Sequence, residues 1–68
     1  MKYEVLIYWS DDDQVFIAEV PDLPGCITHG ATYQEAAANA EEAMRGWLKA
    51  WEAMGREVPK PKQRVLAS

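Results

Sequence analysis

Three consecutive aspartates, Asp11, Asp12 and Asp13, are the densest group of chemically active side chains in this 68-residue chain. Carboxylates bind divalent cations and support metal-assisted hydrolysis when several of them converge on one ion. Successive side chains of a strand or turn point in different directions, so the triplet favours a solvated hairpin tip over a metal site. We therefore predict that the chain binds no metal and no cofactor.

His29 and Cys26 are the only histidine and the only cysteine, and they could supply a general base and a nucleophile. The two residues lie three apart on a predicted strand, however, and so face opposite sides of it. The four glycines are scattered instead of forming a phosphate-binding loop. These patterns predict that the protein is not an enzyme and that His29 has a structural or interface role.

The elements that position these residues begin with three short strands. Residues 2–9 and 15–20 alternate apolar and polar side chains and are rich in β-branched and aromatic types, which is typical of a β-hairpin with a turn at 10–14. Residues 26–29 form a short third strand. Between them, Pro21 ends the second strand, and Pro24-Gly25 supplies the two central residues of a type II turn.

A long amphipathic helix follows over residues 33–54. Thr32 and Glu35 have the spacing of a capping box at its start, and Gly55 has the position of the residue that ends it. At about 33 Å the helix is longer than a strand of about 25 Å, so its second half is expected to extend beyond the sheet. Trp47 and Trp51, on that half, fit either a small core closed by the C-terminal tail or an oligomer contact.

These elements predict an α+β fold of the order β-β-β-α-β in one domain, 1–68, in which 59–68 is a tail or a short last strand. Residues 64–67 would form this fourth strand, parallel to another strand of the sheet. One helix covers one face of such a sheet. The other face is apolar enough to favour an oligomer interface or a docking surface for another protein, and its residues are Leu6, Tyr8, Val15 and Ile17.

Size and charge restrict the class of protein further. A chain this short buries a marginal core, and self-association is the simplest source of additional burial. No signal peptide or membrane span is visible, so we expect a cytoplasmic protein.

Residues 1–42 carry nine acidic and one basic side chain, whereas residues 43–68 carry two acidic and six basic ones. The acidic body makes nucleic acid an unlikely partner and suits a basic protein.

The order of these motifs resembles the HicB-like antitoxin family over about residues 3–59. The stretches that carry the resemblance are Val15-Phe16-Ile17-Ala18-Glu19-Val20, Pro21-Asp22-Leu23-Pro24-Gly25-Cys26, Thr28-His29-Gly30, Thr32-Tyr33-Gln34-Glu35-Ala36 and Asn39-Ala40-Glu41-Glu42-Ala43. The resemblance implies a truncated ribonuclease-H-like fold with the fourth strand beside the first. It also implies dimers or larger assemblies.

The function implied by the resemblance is inhibition of a small, basic, RNA-cleaving toxin of the HicA type. Acidic side chains that would cover the toxin's RNA-binding surface are then expected contacts: Asp11, Asp12, Asp13, Glu19 and Asp22. Many relatives carry a C-terminal DNA-binding segment, for which this chain has no room, so repression of its own operon is not expected. Two alternatives stay open: a degenerate ribonuclease-H-like RNA-binding protein without a toxin, and a residual metal-dependent nuclease.

Overall fold

A computed structural model describes residues 2–62 of the chain. Its elements are β1 (Leu6–Ser10), β2 (Val15–Glu19), β3 (Ile27–Gly30) and α1 (Tyr33–Ala53). Both strand pairings are antiparallel, and the strands lie in the order β1-β2-β3. The α+β class, the three-stranded antiparallel sheet and the long helix are confirmed. The predicted fourth strand at 64–67 lies outside the described residues.

The starts of β1 and β3 differ from the prediction for identifiable reasons, and the ends of the three strands each differ by one residue. β1 begins at Leu6 because its register with Glu19 would place residue 4 opposite Pro21, which has no N–H to donate. β3 begins at Ile27 because the Cys26 N–H is engaged in the preceding turn, although its carbonyl still bonds to Val20 in register with β2. The Cys26 N–H donates to the Leu23 carbonyl at 2.9 Å, and the Cys26 carbonyl accepts from the Val20 N–H at 3.0 Å.

The loop between β2 and β3 has the predicted turn. Gly25 has a φ of +81°, as the third residue of a type II turn requires, and the Cys26-to-Leu23 hydrogen bond closes it. A second bond, from the Leu23 N–H to the Val20 carbonyl, closes a turn around Pro21 at 3.0 Å. The loop is therefore compact, and it turns Leu23 inward to the core.

The helix packs chiefly on β3, less on β2 and least on β1. Small residues allow this close approach: Ala18 on β2 and both Ala36 and Ala40 on the helix are 0% exposed. Because the helix axis lies toward β3, the inner side of β1 is covered less completely than that of its neighbours.

The three alanines form one core cluster, and a second core cluster lies beneath the C-terminal half of the helix. Leu23 is 1% exposed and is the largest side chain that is buried so completely. The residues that pack around it come from the segment before β1, from the β2–β3 loop and from the helix, and they include Tyr3, Val20, Cys26, Met44, Trp47 and Leu48. The extension of the helix beyond the sheet is thus covered by the loop and not left free.

Both ends of the helix are capped as predicted, with one difference. The Glu35 N–H donates to the Thr32 hydroxyl at 3.0 Å, but the Glu35 carboxylate accepts from the Ala31 N–H, one residue before the cap. At the other end Gly55 has a φ of +74°, and its N–H donates to the Glu52 carbonyl at 2.9 Å. With the bond from the Arg56 N–H to the Trp51 carbonyl, this is a Schellman motif.

Replacing Thr32 with alanine is expected to lower the free energy of unfolding by about 1 kcal/mol, because the Glu35 N–H loses its acceptor. Thr32→Ser keeps an oxygen at the same place and is the control, with an expected change of less than about 0.5 kcal/mol. Urea denaturation followed by circular dichroism measures both. Equal losses in the two variants would show that the hydroxyl does not stabilise the helix.

Candidate partner-binding surfaces

The aspartate triplet occupies the turn between β1 and β2, and all three side chains are exposed. The Asp11 carboxylate accepts from the Trp9 indole N–H at 2.8 Å, and the Asp13 carboxylate accepts from the Ser10 hydroxyl at 3.1 Å. Two of the carboxylates are therefore held by different neighbours on the hairpin. Within residues 2–62 no group of three or more His, Cys, Asp or Glu residues is arranged to hold a metal ion.

The other two predicted contacts, Glu19 and Asp22, lie at the opposite end of the hairpin. Residues 15–19 of β2 separate them from the tip by about 13 Å along the strand. Asp22 is half-buried, and its carboxylate accepts from the Lys62 backbone N–H at 2.8 Å. The structure thus places the five acids in two groups, and Asp22 holds the C-terminal tail.

The sheet face turned away from the helix carries the four residues predicted for an interface. Leu6 and Tyr8 are each 44% exposed, and Val15 and Ile17 are half-buried. No helix or strand formed by residues 2–62 packs on this face, which we call the outer sheet face.

Two residues of β3, Ile27 and His29, belong to the same outer sheet face; the sequence prediction missed Ile27 and gave His29 a structural or interface role without assigning it to this face. The register pairs Glu19 with Ile27 and Ile17 with His29, and Ile27 is 55% exposed. The apolar surface therefore continues across all three strands. A four-residue strand alternates too briefly to show its faces, so only the register identifies them.

Tyr8 and Glu19 form a polar contact on this face. The Tyr8 hydroxyl donates to the Glu19 carboxylate, and partial burial, the Glu19 charge and this hydrogen bond together raise the pKa of Tyr8. Glu19, which pairs with Leu6 in the register, thus places a carboxylate among the apolar side chains of this face.

Trp47 and Trp51 stack on each other with ring centroids 4.4 Å apart. The Trp47 indole N–H donates to the Pro24 carbonyl at 2.9 Å, and that of Trp51 donates to the Glu57 carbonyl at 2.8 Å. The Arg56 guanidinium lies 4.7 Å from the centroid of Trp51. Both indoles therefore join the helix to the loop and the tail of their own chain, and their role in an oligomer stays a prediction.

The tail also contacts the segment before β1. The Tyr3 hydroxyl donates to the Pro59 carbonyl, and burial, followed by the charge of Asp22, raises the pKa of Tyr3. Together with the Asp22-to-Lys62 bond, this contact keeps residues 59–62 against the core cluster.

Three aromatic rings lie together on the helix-facing side of the sheet beside the hairpin tip, and sequence reasoning missed them as a surface. Phe16 is central: its ring centroid is 5.0 Å from that of Trp9 and 4.2 Å from that of Tyr33. Trp9 is 45% exposed and Tyr33 is 60% exposed. Alternation places Trp9 on the covered side of β1, but the helix lies toward β3 and leaves its ring accessible.

Cys26 and His29 do not form a nucleophile–base pair. Cys26 is a free thiol that is 6% exposed within the core, whereas His29 is exposed on the outer sheet face. Burial raises the pKa of the Cys26 thiol, which lowers the fraction of reactive thiolate at neutral pH.

The Cys26 thiol is expected to react with iodoacetamide more than about tenfold more slowly in the folded protein than in urea. Mass spectrometry of samples quenched over time measures the two rates at one mildly alkaline pH. Equal rates would mean that the thiol is not protected by the core.

Comparison with known proteins identifies the family. The family model described as "HicB_like antitoxin of bacterial toxin-antitoxin system" matches residues 3–66. The chain belongs to the HicB-like antitoxin family. A curated relative of this HicB-like chain, UPF0150 protein Ta0767 of Thermoplasma acidophilum, is 38% identical over 60 residues, which cover 88% of this chain and 86% of the relative. No solved structure gave a significant match.

The family match covers every element of the HicB-like fold described above, from the segment before β1 to the tail. It supports an antitoxin role in general terms and a toxin as the kind of partner. The helix within residues 2–62 lacks the apolar length that a membrane crossing requires.

Proposed function

We propose that this chain is a non-enzymatic antitoxin that silences a small, basic, RNA-cleaving toxin of the HicA type by covering its RNA-binding surface. The observation that carries the proposal is the family match over residues 3–66. The finer parts, namely a HicA-type toxin and its inhibition by occlusion, are what the family resemblance implies, and the acidic charge of the domain supports a basic partner.

The distribution of charge supports a basic partner. Residues 3–44 contain no lysine or arginine, so the sheet, the β2–β3 loop and the first half of the helix carry only acidic charges and His29. A protein that binds RNA presents basic side chains to phosphates. Carboxylates of this domain can occupy the positions that the phosphates would take.

The experiment is capture of partners from a lysate of the source organism with the tagged chain, at low and at moderate salt. The captured material is assayed for cleavage of total RNA before and after the complex is dissociated in urea and the partner is refolded. We expect a small basic protein whose ribonuclease activity appears only after dissociation.

The matched variant replaces Asp11, Asp12 and Asp13 with asparagine, which removes three charges from an exposed turn. If the hairpin tip contacts the toxin, this variant should release the toxin at lower salt than the natural chain does. Recovery of the chain alone would contradict a dedicated antitoxin. Direct, strongly salt-dependent binding of total RNA would favour the alternative of a degenerate RNA-binding protein.

We also infer that the outer sheet face joins two copies of the chain. Tyr8→Lys is expected to lower the dimer affinity by more than about tenfold, because a twofold interface would bring two like charges together. Met54→Lys is the control, since Met54 is 59% exposed and lies at the end of the helix. Sedimentation equilibrium measures both. Unchanged association of Tyr8→Lys, with an unaltered circular dichroism spectrum, would place the interface elsewhere.

The ribonuclease-H-like arrangement, with residues 64–67 beside β1, is part of the same proposal. It is supported by the strand order, because β1 is an edge strand of the sheet formed by residues 2–62.

A further inference from the structure

The aromatic rings beside the hairpin tip form an accessible surface of unusual composition for so small a domain. We call it the aromatic surface; it consists of Trp9, Phe16 and Tyr33. Its two outer rings are 45% and 60% exposed, although large aromatic side chains contribute most of their stabilisation when they are buried. Burial in the core of its own chain therefore does not account for the exposed area of these rings.

The surroundings of the aromatic surface are acidic. The Asp11 carboxylate lies at the edge of the Trp9 ring, held by the 2.8 Å bond from the indole N–H. Asp12 and Asp13 are exposed on the same turn, and Glu35 lies in the first turn of the helix that Tyr33 begins. Lysine and arginine are absent from residues 3–44, so no basic side chain of these elements neutralises this end.

Aromatic faces combined with carboxylates have one well-matched ligand among protein side chains. A guanidinium group stacks on aromatic rings and at the same time donates hydrogen bonds to carboxylates, and it remains charged at all physiological pH values. An ammonium group is a compact, strongly hydrated charge, which gains less from a ring face. The carboxylate at the ring edge would accept from the guanidinium that stacks on the ring.

We propose that the aromatic surface is the docking site for an arginine side chain of the basic protein partner. The proposal deepens the antitoxin function and rests on it for the identity of the partner. In this proposal Trp9 and Tyr33 provide the preference for arginine over lysine. The aspartates provide long-range electrostatic attraction, which acts on any basic protein.

The test uses two fluorescein-labelled peptides of equal charge, hexa-arginine and hexa-lysine, with binding followed by fluorescence polarisation. The natural chain is expected to bind the arginine peptide at least about fivefold more tightly than the lysine peptide. Trp9→Leu should weaken arginine-peptide binding by about fivefold and lysine-peptide binding by less than about twofold. Tyr33→Leu, at a more exposed position, should weaken arginine-peptide binding by about threefold.

Met54→Ala is the control, since Met54 is 59% exposed and lies at the C-terminal end of the helix, away from Tyr33 and from the outer sheet face. It should leave both affinities unchanged. Equal affinities of the natural chain for the two peptides, or no loss in Trp9→Leu and Tyr33→Leu, would overturn the proposal and leave only general attraction. Weaker self-association of Trp9→Leu in sedimentation, with unchanged peptide binding, would also overturn it, because the occupant would then be a second copy.

The result of the peptide-binding assay can be distinguished from the result of the test of the antitoxin proposal. The peptide assay needs no toxin, and its failure would leave the capture of an inhibited ribonuclease unaffected. Conversely, failure to recover a ribonuclease would contradict the antitoxin function while an arginine preference at the aromatic surface stayed measurable.

Discussion

Gly30→Ala is expected to destabilise the domain by about 3 kcal/mol or more. A Cβ atom on Gly30 would lie 2.4 Å from the Ala36 nitrogen and 2.8 Å from the Glu35 carbonyl carbon. Both are backbone atoms of the first helical turn and cannot rotate away. The helix would have to move off the sheet and separate Ala36 from Ala18, which are both 0% exposed.

The loss would be a large share of the total, since a domain of this size has a free energy of unfolding of roughly 3–10 kcal/mol. Urea denaturation should therefore show a strongly lowered midpoint or no folded baseline. Gly46→Ala is the control. Gly46 lies within the helix, and a Cβ atom added to it would have nothing within 4 Å. Alanine there should stabilise the protein by about 0.5–1 kcal/mol. Shifts in the same direction for both variants would contradict the close-contact argument.

Leu23→Ala is expected to cost about 2–5 kcal/mol, which is the range for removing a buried leucine side chain and leaving a cavity. Leu23 is 1% exposed and lies at the centre of the second core cluster. The turns on either side of it, closed by the Leu23 N–H and the Leu23 carbonyl, prevent the loop from collapsing into the space.

Urea denaturation of Leu23→Ala and of Leu6→Ala shows how much of the loss of stability is due to burial, because both variants remove the same side chain. Leu6 is 44% exposed on the outer sheet face, so its loss in the monomer should be below about 1.5 kcal/mol. Denaturation at several protein concentrations distinguishes this local loss from a loss of association. A Leu23 variant as stable as the Leu6 variant would show that the β2–β3 loop is not part of the core.

The acidic and basic side chains lie at different ends of the described structure. The hairpin tip and the aromatic surface form an acidic end, whereas the helix C-terminus and the tail carry Arg56, Lys60 and Lys62. The Arg56 guanidinium at this basic end contacts the Trp51 ring, and the backbone N–H of Lys62 holds the tail to the Asp22 carboxylate. Residues 3–44 contain no lysine or arginine, so they place no basic side chain at the acidic end.

Local patterns were sufficient for three strands and the helix, whereas the predicted fourth strand lies outside the described residues. Strand alternation, the Pro24-Gly25 turn, the Thr32 cap and the Gly55 terminus each depend on residues a few positions apart. Each is confirmed, although β1 begins at Leu6 instead of residue 2. That shift arises from a longer contact. β1 starts late because of Pro21, which lies seventeen residues after position 4, and only the register of the hairpin brings the two together.

The candidate surfaces were predicted less completely, because a surface is defined by neighbours that are distant in sequence. Residues Leu6, Tyr8, Val15 and Ile17 were identified from alternation alone, but Ile27 and His29 required the pairing of β3. The five acids were treated as one group, and the hairpin separates them into two. Whether they contact a toxin stays a prediction.

The sequence by itself determined that this protein has a hairpin, a turn-bounded third strand and a capped helix, and that it belongs with HicB-like antitoxins. The elements follow from local backbone preferences and short-range spacing, and the family follows from the resemblance of the motifs, which the family match confirms. Only the tertiary structure decided that the helix lies toward β3, through the contact of Gly30 with Ala36. That lateral position, which no local pattern encodes, leaves the Trp9 ring accessible beside Asp11.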